Sequence, residues 1–180
     1  MYYENSMKIT LKNKATAAAA MELLKTRLND GFDCDETYSK NPSVEMMNNL
    51  ELAGKSVILA DETSCFTPED AQSVFVELLQ MLAINLTETF SAEIFNSSDY
   101  SESEIAAKCN INELNIKTTY YPNGFVETLC CDECGMDIVS MEDYEAGKTY
   151  ICPDCGEMID LSEEYEENKP VINELVITIR

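Results

Sequence analysis

Two short stretches, CDECG at 131–135 and CPDCG at 152–156, decide how the last third of this 180-residue chain folds. Both contain two cysteines separated by two residues and followed by glycine, and 17 residues lie between the inner cysteines. Such a tight turn brings its two sulfurs to one side of the backbone, and the glycine permits the left-handed conformation that the turn requires. The spacing predicts two matching turns that place four thiols together.

Four thiolates arranged in a tetrahedron suit zinc or iron, and the cation offsets the mutual repulsion of the negative sulfurs. We therefore predict one metal site formed by Cys131, Cys134, Cys152 and Cys155. Cys130 leaves an alternative open, since it could replace Cys131, although the symmetry of the two motifs favours Cys131. The local structure is expected to unfold when the metal is lost.

These knuckles resemble those of zinc ribbons and also those of rubredoxin, over about residues 125–160. The rubredoxin resemblance lies in the second knuckle, Cys-Pro-x-Cys-Gly, and implies iron and one-electron transfer. The chain departs from that pattern at Met136, where an aromatic residue commonly follows the first knuckle, and it contains no tryptophan. We therefore predict a structural zinc ion, with rubredoxin-like iron as the alternative.

The net charge is -22, and most of the acidity lies in the last two thirds of the chain. Between Cys131 and Cys155 the only basic residue is Lys148, against seven acidic residues. Phosphate groups would be repelled by such a surface, so direct binding to nucleic acid or to an anionic membrane is disfavoured. The composition instead favours a protein partner with a basic surface.

The chain contains no histidine, which removes the commonest general base and the usual partner of a nucleophilic serine or cysteine. Ser64-Cys65 therefore lacks an activating base, and Gly54-Lys55-Ser56 lacks the upstream glycine of a phosphate-binding loop. The carboxylates are too numerous for one acid/base pair to be singled out, and no loop has EF-hand spacing. We predict a protein that is not an enzyme.

The N-terminal residues are polar, and no apolar run approaches the ~20 residues of a membrane span. The remaining cysteines are scattered, which is typical of a reducing compartment. These features predict a cytoplasmic protein.

Outside the cysteine motifs, hydrophobic periodicity predicts an alternation of strands and helices. Alternation over 7–12 indicates a strand, and Ala17, Ala20, Met21, Leu24 and Leu28 would share one face of the next helix. The chain then continues with elements assigned from period and capping signals. These are a loop over 31–43, a helix from about 43 to 54, a strand over 55–60, a helix from Thr67-Pro68 to about 86, a strand over 90–95, a helix from Ser101 towards Cys109, a hairpin of 114–120 with 125–129 around Pro122-Asn123-Gly124, an acidic connector over 162–169 and a closing strand over 171–180.

This order predicts an α+β fold in which helices pack on one face of a sheet, in a two-layer arrangement that could be ferredoxin-like. We expect a core domain over 1–124, a zinc ribbon over 125–161, and a connector with closing strand over 162–180 that returns to the core sheet. Leu175, Ile177 and Ile179 would share one face of that strand. The ribbon is thus predicted to be an insertion near the C-terminus.

The function expected from these features is that of a non-catalytic acidic protein that occupies a basic groove on a protein partner. Dense carboxylates can imitate phosphates and can speed association through long-range attraction. The chain is similar in size and charge to acidic inhibitors of restriction and CRISPR systems. The alternative is a rubredoxin-like iron electron carrier.

Overall fold

The computed structural model of the chain describes residues 3–30, 48–61, 68–98 and 101–179. The predicted loop over 31–43, the first part of the predicted helix from 43, and Thr67 at a predicted helix start lie outside these ranges. The described elements, in chain order, are β1 (Tyr3–Leu11), α1 (Lys14–Asp30), β2 (Leu50–Ala53), β3 (Ser56–Asp61), α2 (Pro68–Leu86), β4 (Phe90–Ser98), β5 (Glu102–Cys109), β6 (Glu113–Tyr121), β7 (Thr128–Cys130), β8 (Asp137–Ser140), β9 (Tyr150–Ile151), β10 (Met158–Ile159), α3 (Ser162–Asn168) and β11 (Val171–Thr178).

The main sheet has seven strands in the order β11-β6-β5-β4-β1-β3-β2, and every neighbouring pair is antiparallel. The first six described elements run β1-α1-β2-β3-α2-β4 with strand order β4-β1-β3-β2, which is the ferredoxin-like arrangement. The strands β5, β6 and β11 extend this sheet beyond β4. The predicted α+β class with helices packed on a sheet is confirmed.

Helices α1 and α2 cover one face of the sheet. The first contacts β1, β2 and β3, the second contacts β4, β5 and β6, and the two helices touch each other. The predicted face of α1 is buried at Ala17, Ala20, Leu24 and Leu28. It faces a strand surface on which Ile9 and Leu59 are also buried, so the main core lies between the helices and the sheet.

The predicted helix from Ser101 to Cys109 is wrong, because these residues form β5. Alternate side chains of β5, among them Ile105 and Cys109, are buried, while Glu104 and Lys108 are exposed. This period of two matches a sheet with one covered face. Ser98 and Ser101 exchange hydrogen bonds between the end of β4 and the start of β5, so Ser101 bonds across the strand pair instead of capping a helix.

The predicted helix before Gly54 is also wrong over its described end, since Leu50–Ala53 is β2 and pairs with β3. Gly54 and Lys55 form the two-residue turn, with Gly54 at a φ of 62°. Two-residue hairpin turns favour positive φ, which explains the glycine. The predicted strand from Lys55 is confirmed as β3, although it begins one residue later.

The predicted hairpin across Pro122-Asn123-Gly124 does not form. β6 pairs with β5 on one side and β11 on the other, so it has no free edge for residues 125–129. Only Thr128–Cys130 of that stretch is a strand, and it pairs with β8. The turn therefore leads the chain out of the sheet.

The closing strand returns to the main sheet as predicted, and β11 pairs along its whole length with β6. The predicted connector before it contains a short helix, α3. Ile177 packs against the core, whereas Leu175 and the strand's other apolar residues before it remain exposed. The reason is position, because β11 is the edge strand of the sheet and its principal contacts are with β6.

Candidate metal centre

Two β-turn knuckles carry the four cysteines, and their backbones bond in the same way. In the first, Gly135 N–H donates to the Cys131 carbonyl oxygen at 2.7 Å. In the second, Gly156 N–H donates to the Cys152 carbonyl oxygen at 3.0 Å. Both glycines have positive φ, 71° and 74°, which a residue with a side chain rarely adopts. Each knuckle is therefore closed by a backbone hydrogen bond within its own five residues.

The four sulfurs form one compact cluster in which all atoms lie within 4.8 Å of one another. The Cys131 and Cys155 sulfurs are 3.7 Å apart, and those of Cys134 and Cys152 are 3.5 Å apart. A tetrahedral site with metal–sulfur bonds of about 2.3 Å has sulfurs about 3.8 Å apart. These separations are far too long for disulfides and fit a shared metal ion.

Each knuckle buries its first cysteine and exposes its second. Cys131 and Cys152 are 2% and 1% exposed, whereas Cys134 and Cys155 face solvent. The buried pair joins a small apolar cluster with Leu129, Ile159 and Leu161, separate from the core of the main sheet. One side of the sulfur cluster is thus packed and the other is open to solvent.

Backbone N–H groups point at the sulfurs and shift the pKa values of the thiols. The Cys155 and Asp154 N–H groups lower the pKa of Cys152 from 9.0 to about 7. The Met136 N–H lowers the pKa of Cys134, but hydrogen bonding to Cys152 and burial outweigh it and raise that pKa to about 12. The Glu157 N–H likewise lowers the pKa of Cys155, but hydrogen bonding to Cys152 and burial outweigh it and raise that pKa above its ordinary value. These donors favour thiolates, the form that binds a metal.

Cys130, the alternative ligand, lies outside the sulfur cluster. Its thiol contacts the Asp137 Oδ1 atom at 3.4 Å, and burial, followed by the bond to Asp137, raises its pKa. Its backbone N–H donates to Glu164 Oε1 at 3.2 Å. The structure therefore brings together the four cysteines that the sequence motifs pair, and directs the fifth thiol elsewhere.

Helix α3 packs on the ribbon, which the sequence interpretation missed. Tyr165 of α3 stacks on Tyr144 with ring centroids 4.3 Å apart, and Tyr144 stacks on Tyr150 at 6.1 Å. Asn123, just after β6, donates from Nδ2 to the Glu167 carbonyl oxygen at 3.1 Å. Ser162 followed by two glutamates is a helix-start signal that could have revealed α3.

No protein-family model, curated protein or solved structure matches the chain. Among the described residues, no helix is long and apolar enough to cross a membrane. The class defined by fold and site is therefore an α+β protein with an extended ferredoxin-like sheet and a four-cysteine cluster that could hold a metal ion.

Proposed function

We propose that the chain is a non-catalytic zinc-ribbon protein whose acidic ribbon and α3 bind a basic surface of a protein partner. The observation that carries the proposal is the charge of residues 127–169, which include 14 acidic residues and two lysines. Both lysines are already paired, Lys148 with Glu145 at 2.9 Å and Lys169 with Glu166. The two lysines neutralise only two of these carboxylates, so the region keeps a net charge of -12.

The partner that fits such a region best is an enzyme that handles nucleic acid, because its basic groove is built to accept phosphates. Most of the carboxylates are exposed, including Asp132, Glu133, Asp154, Glu163 and Glu167. A surface of this kind associates quickly by electrostatic attraction and competes with nucleic acid for the groove. The zinc ion would hold the ribbon rigid, and the four cysteines would be its ligands.

The test is inhibition of a panel of purified DNA-cleaving enzymes, with duplex DNA as the competitor. We expect competitive inhibition of a susceptible enzyme, weakening by about a thousandfold between about 50 and 200 mM salt if six or more charge contacts form. Reversal of Asp154, Glu163 and Glu167 to lysine should weaken inhibition strongly. Glu164 and Glu166 are left unchanged because they bond to Cys130 and Lys169.

The matched control reverses three exposed glutamates of the main domain, Glu22, Glu51 and Glu113, and changes the net charge equally. It should weaken inhibition much less. Equal effects of the two triple variants would mean that only overall charge matters, and inhibition that does not change with salt contradicts the proposal.

A second candidate function, a one-electron carrier with iron, is favoured by the exposure of Cys134 and Cys155. Two exposed ligands would place an iron ion near the surface, where a redox partner can reach it. Elemental analysis and an absorption spectrum of protein purified under reducing conditions separate the candidates. One zinc per chain without a visible band supports the ribbon protein, whereas one iron with thiolate charge-transfer bands supports the carrier.

A further inference from the structure

A cavity of about 450 Å³ lies where the end of β6, the β7–β8 hairpin and α3 meet. It is separate from the sulfur cluster, and none of the four clustered cysteines borders it. Its lining includes the aromatic residues Tyr121, Phe125 and Tyr165, together with Met141 and two acidic residues, Glu127 and Glu142. Its volume is in the range of small-ligand sites.

Three aromatic rings border the cavity. Tyr121 and Phe125 meet edge to face, with centroids 5.6 Å apart and planes at 80°. Tyr165 borders it from α3. Phe125 is 64% exposed, which leaves a large apolar ring in water at the cavity wall. A ligand that covers the ring would remove this unfavourable exposure.

The cavity is also acidic. Neither Glu127 nor Glu142 forms an ion pair within the part of the chain that the structure describes, and both are exposed. Burial, and then the charges of Glu104 and Glu102, raise the pKa of Tyr121, so the neighbouring strand adds to the negative potential. Lys169, next to the wall, has its ammonium group paired with Glu166.

The aromatic stack of the ribbon already binds a cation at its other end. Lys148 Nζ lies 5.2 Å from the centroid of the Tyr150 ring, which stacks on Tyr144. Tyr165 ends the same stack at the cavity. The face of an aromatic ring attracts cations, and carboxylates beside it strengthen the attraction.

We propose that this cavity binds one organic cation, the ammonium or guanidinium group of a lysine or arginine side chain presented by the basic partner. The inference rests on the proposed function and names the point at which the partner is anchored. An inorganic cation fits less well, because it would bind the carboxylate oxygens alone and leave the aromatic rings uncovered, whereas an organic cation contacts both. A neutral apolar ligand would desolvate two carboxylates without compensation.

The experiment titrates the metal-loaded full chain with capped arginine and capped trimethyl-lysine, and follows NMR signals of the Met141 methyl group and the Phe125 ring. Capped citrulline, which has the shape of arginine without its charge, is the neutral probe. We expect a cationic probe to shift both signals and to bind at least about tenfold more tightly than citrulline. The two cationic probes distinguish a guanidinium from an ammonium site.

Two variants locate the site. Phe125→Leu keeps an apolar side chain but removes the ring, and should weaken cation binding roughly threefold to thirtyfold. Glu142→Gln removes an exposed carboxylate without affecting packing, and should weaken it as well. Glu113→Gln is the charge-matched control, because Glu113 is exposed at the opposite end of β6, and it should leave binding unchanged.

Equal affinity for citrulline and arginine, or unchanged Met141 and Phe125 signals, would overturn the cavity assignment. This failure is distinguishable from failure of the proposed function, because the probes need no partner. If the protein inhibits a DNA-cleaving enzyme in a salt-dependent way but binds neither cationic probe, the proposed function stands and only the cavity assignment fails.

Discussion

The main sheet and the ribbon differ in the amount of apolar surface that each buries in its own cluster. The sheet buries a large apolar cluster beneath two long helices, with Phe75, Leu79 and Leu82 fully enclosed. The ribbon's cluster has three buried aliphatic residues, and the other two buried members are Cys131 and Cys152 of the sulfur cluster. Small modules with so little apolar burial need a metal or cross-links. We therefore expect the main domain to be stabilised by its own core, and the ribbon to depend on a metal ion held by the four cysteines.

The largest effect should follow from loss of a metal ligand. Cys131→Ser removes one thiolate, and structural zinc contributes roughly 10–16 kcal/mol to folding in small zinc domains. We expect the ribbon to lose amide-exchange protection while β1 to β6 keep theirs, because the sheet core does not include the cysteines of the cluster. Hydrogen exchange measured by NMR checks this, together with metal content.

Cys130→Ser is the matched control, since this neighbouring thiol lies outside the sulfur cluster. It should keep one metal ion per chain and normal ribbon protection. Loss of metal in this variant, or unfolding of the sheet in Cys131→Ser, would contradict the independence of the two regions.

Creating a cavity in the main core should destabilise the sheet and leave the ribbon unaffected, which is the reverse of the result expected for Cys131→Ser. Leu79→Ala removes a fully buried side chain from α2 and should lower the free energy of unfolding of the sheet by about 2–5 kcal/mol. Metal content should not change. Urea denaturation gives the free energy, and Ile84→Ala, on the same helix but 62% exposed, should have little effect.

A smaller effect is expected where α3 joins the ribbon. Tyr165→Leu keeps an apolar side chain but removes the stack on Tyr144, and should cost about 0.5–1.5 kcal/mol of ribbon stability beyond the lost area. A double-mutant cycle with Tyr144→Leu isolates the coupling between the rings. Additive single effects would show that the stacked geometry contributes nothing.

The smallest effect concerns pH at the junction of the two regions. Burial first, and then Glu104 and Glu102, raise the pKa of Tyr121 above its ordinary 10.0 in the folded protein. The folded state thus keeps this proton longer than the unfolded state does. The resulting stabilisation is complete below pH 10 and is lost as pH rises through the folded-state pKa.

NMR titration of the Tyr121 ring carbon measures that pKa. Glu104→Gln should bring it closer to 10.0, and Glu113→Gln, at the far end of β6, should leave it unchanged. An ordinary Tyr121 pKa in the unaltered protein would contradict the described burial and charge environment of this residue.

Several local features were predictable because neighbouring residues determine them. The period of 3.6 in α1 and the period of two in β1 identified both elements and their buried faces. The two glycine-terminated cysteine motifs identified the knuckles and the four sulfurs that come together. The sequence also predicted that the last strand returns to the main sheet, because apolar residues alternate there after the ribbon, and β11 pairs with β6.

Other features depended on contacts between distant residues. Ser101-x-x-Glu104 carries a capping signal, yet the segment is a strand because β4 and β6 bond to both of its edges. Pro122-Asn123-Gly124 carries a hairpin signal, yet β11 already occupies the outer edge of β6. Pairing in the sheet overrides the local propensity of a segment when it satisfies more backbone hydrogen bonds than the locally favoured helix or hairpin would.

The α+β class, the knuckles and the acidity of the last third could be predicted from the sequence, because these follow from period, spacing and composition. The sheet order, the direction of the Cys130 thiol and the cavity beside Phe125 depend instead on contacts between distant residues. The cavity joins residues from β6, the ribbon and α3, and two of them, Tyr121 and Tyr165, are 44 positions apart in the sequence. No local pattern relates such residues, since their proximity results from the return of the chain to the sheet edge.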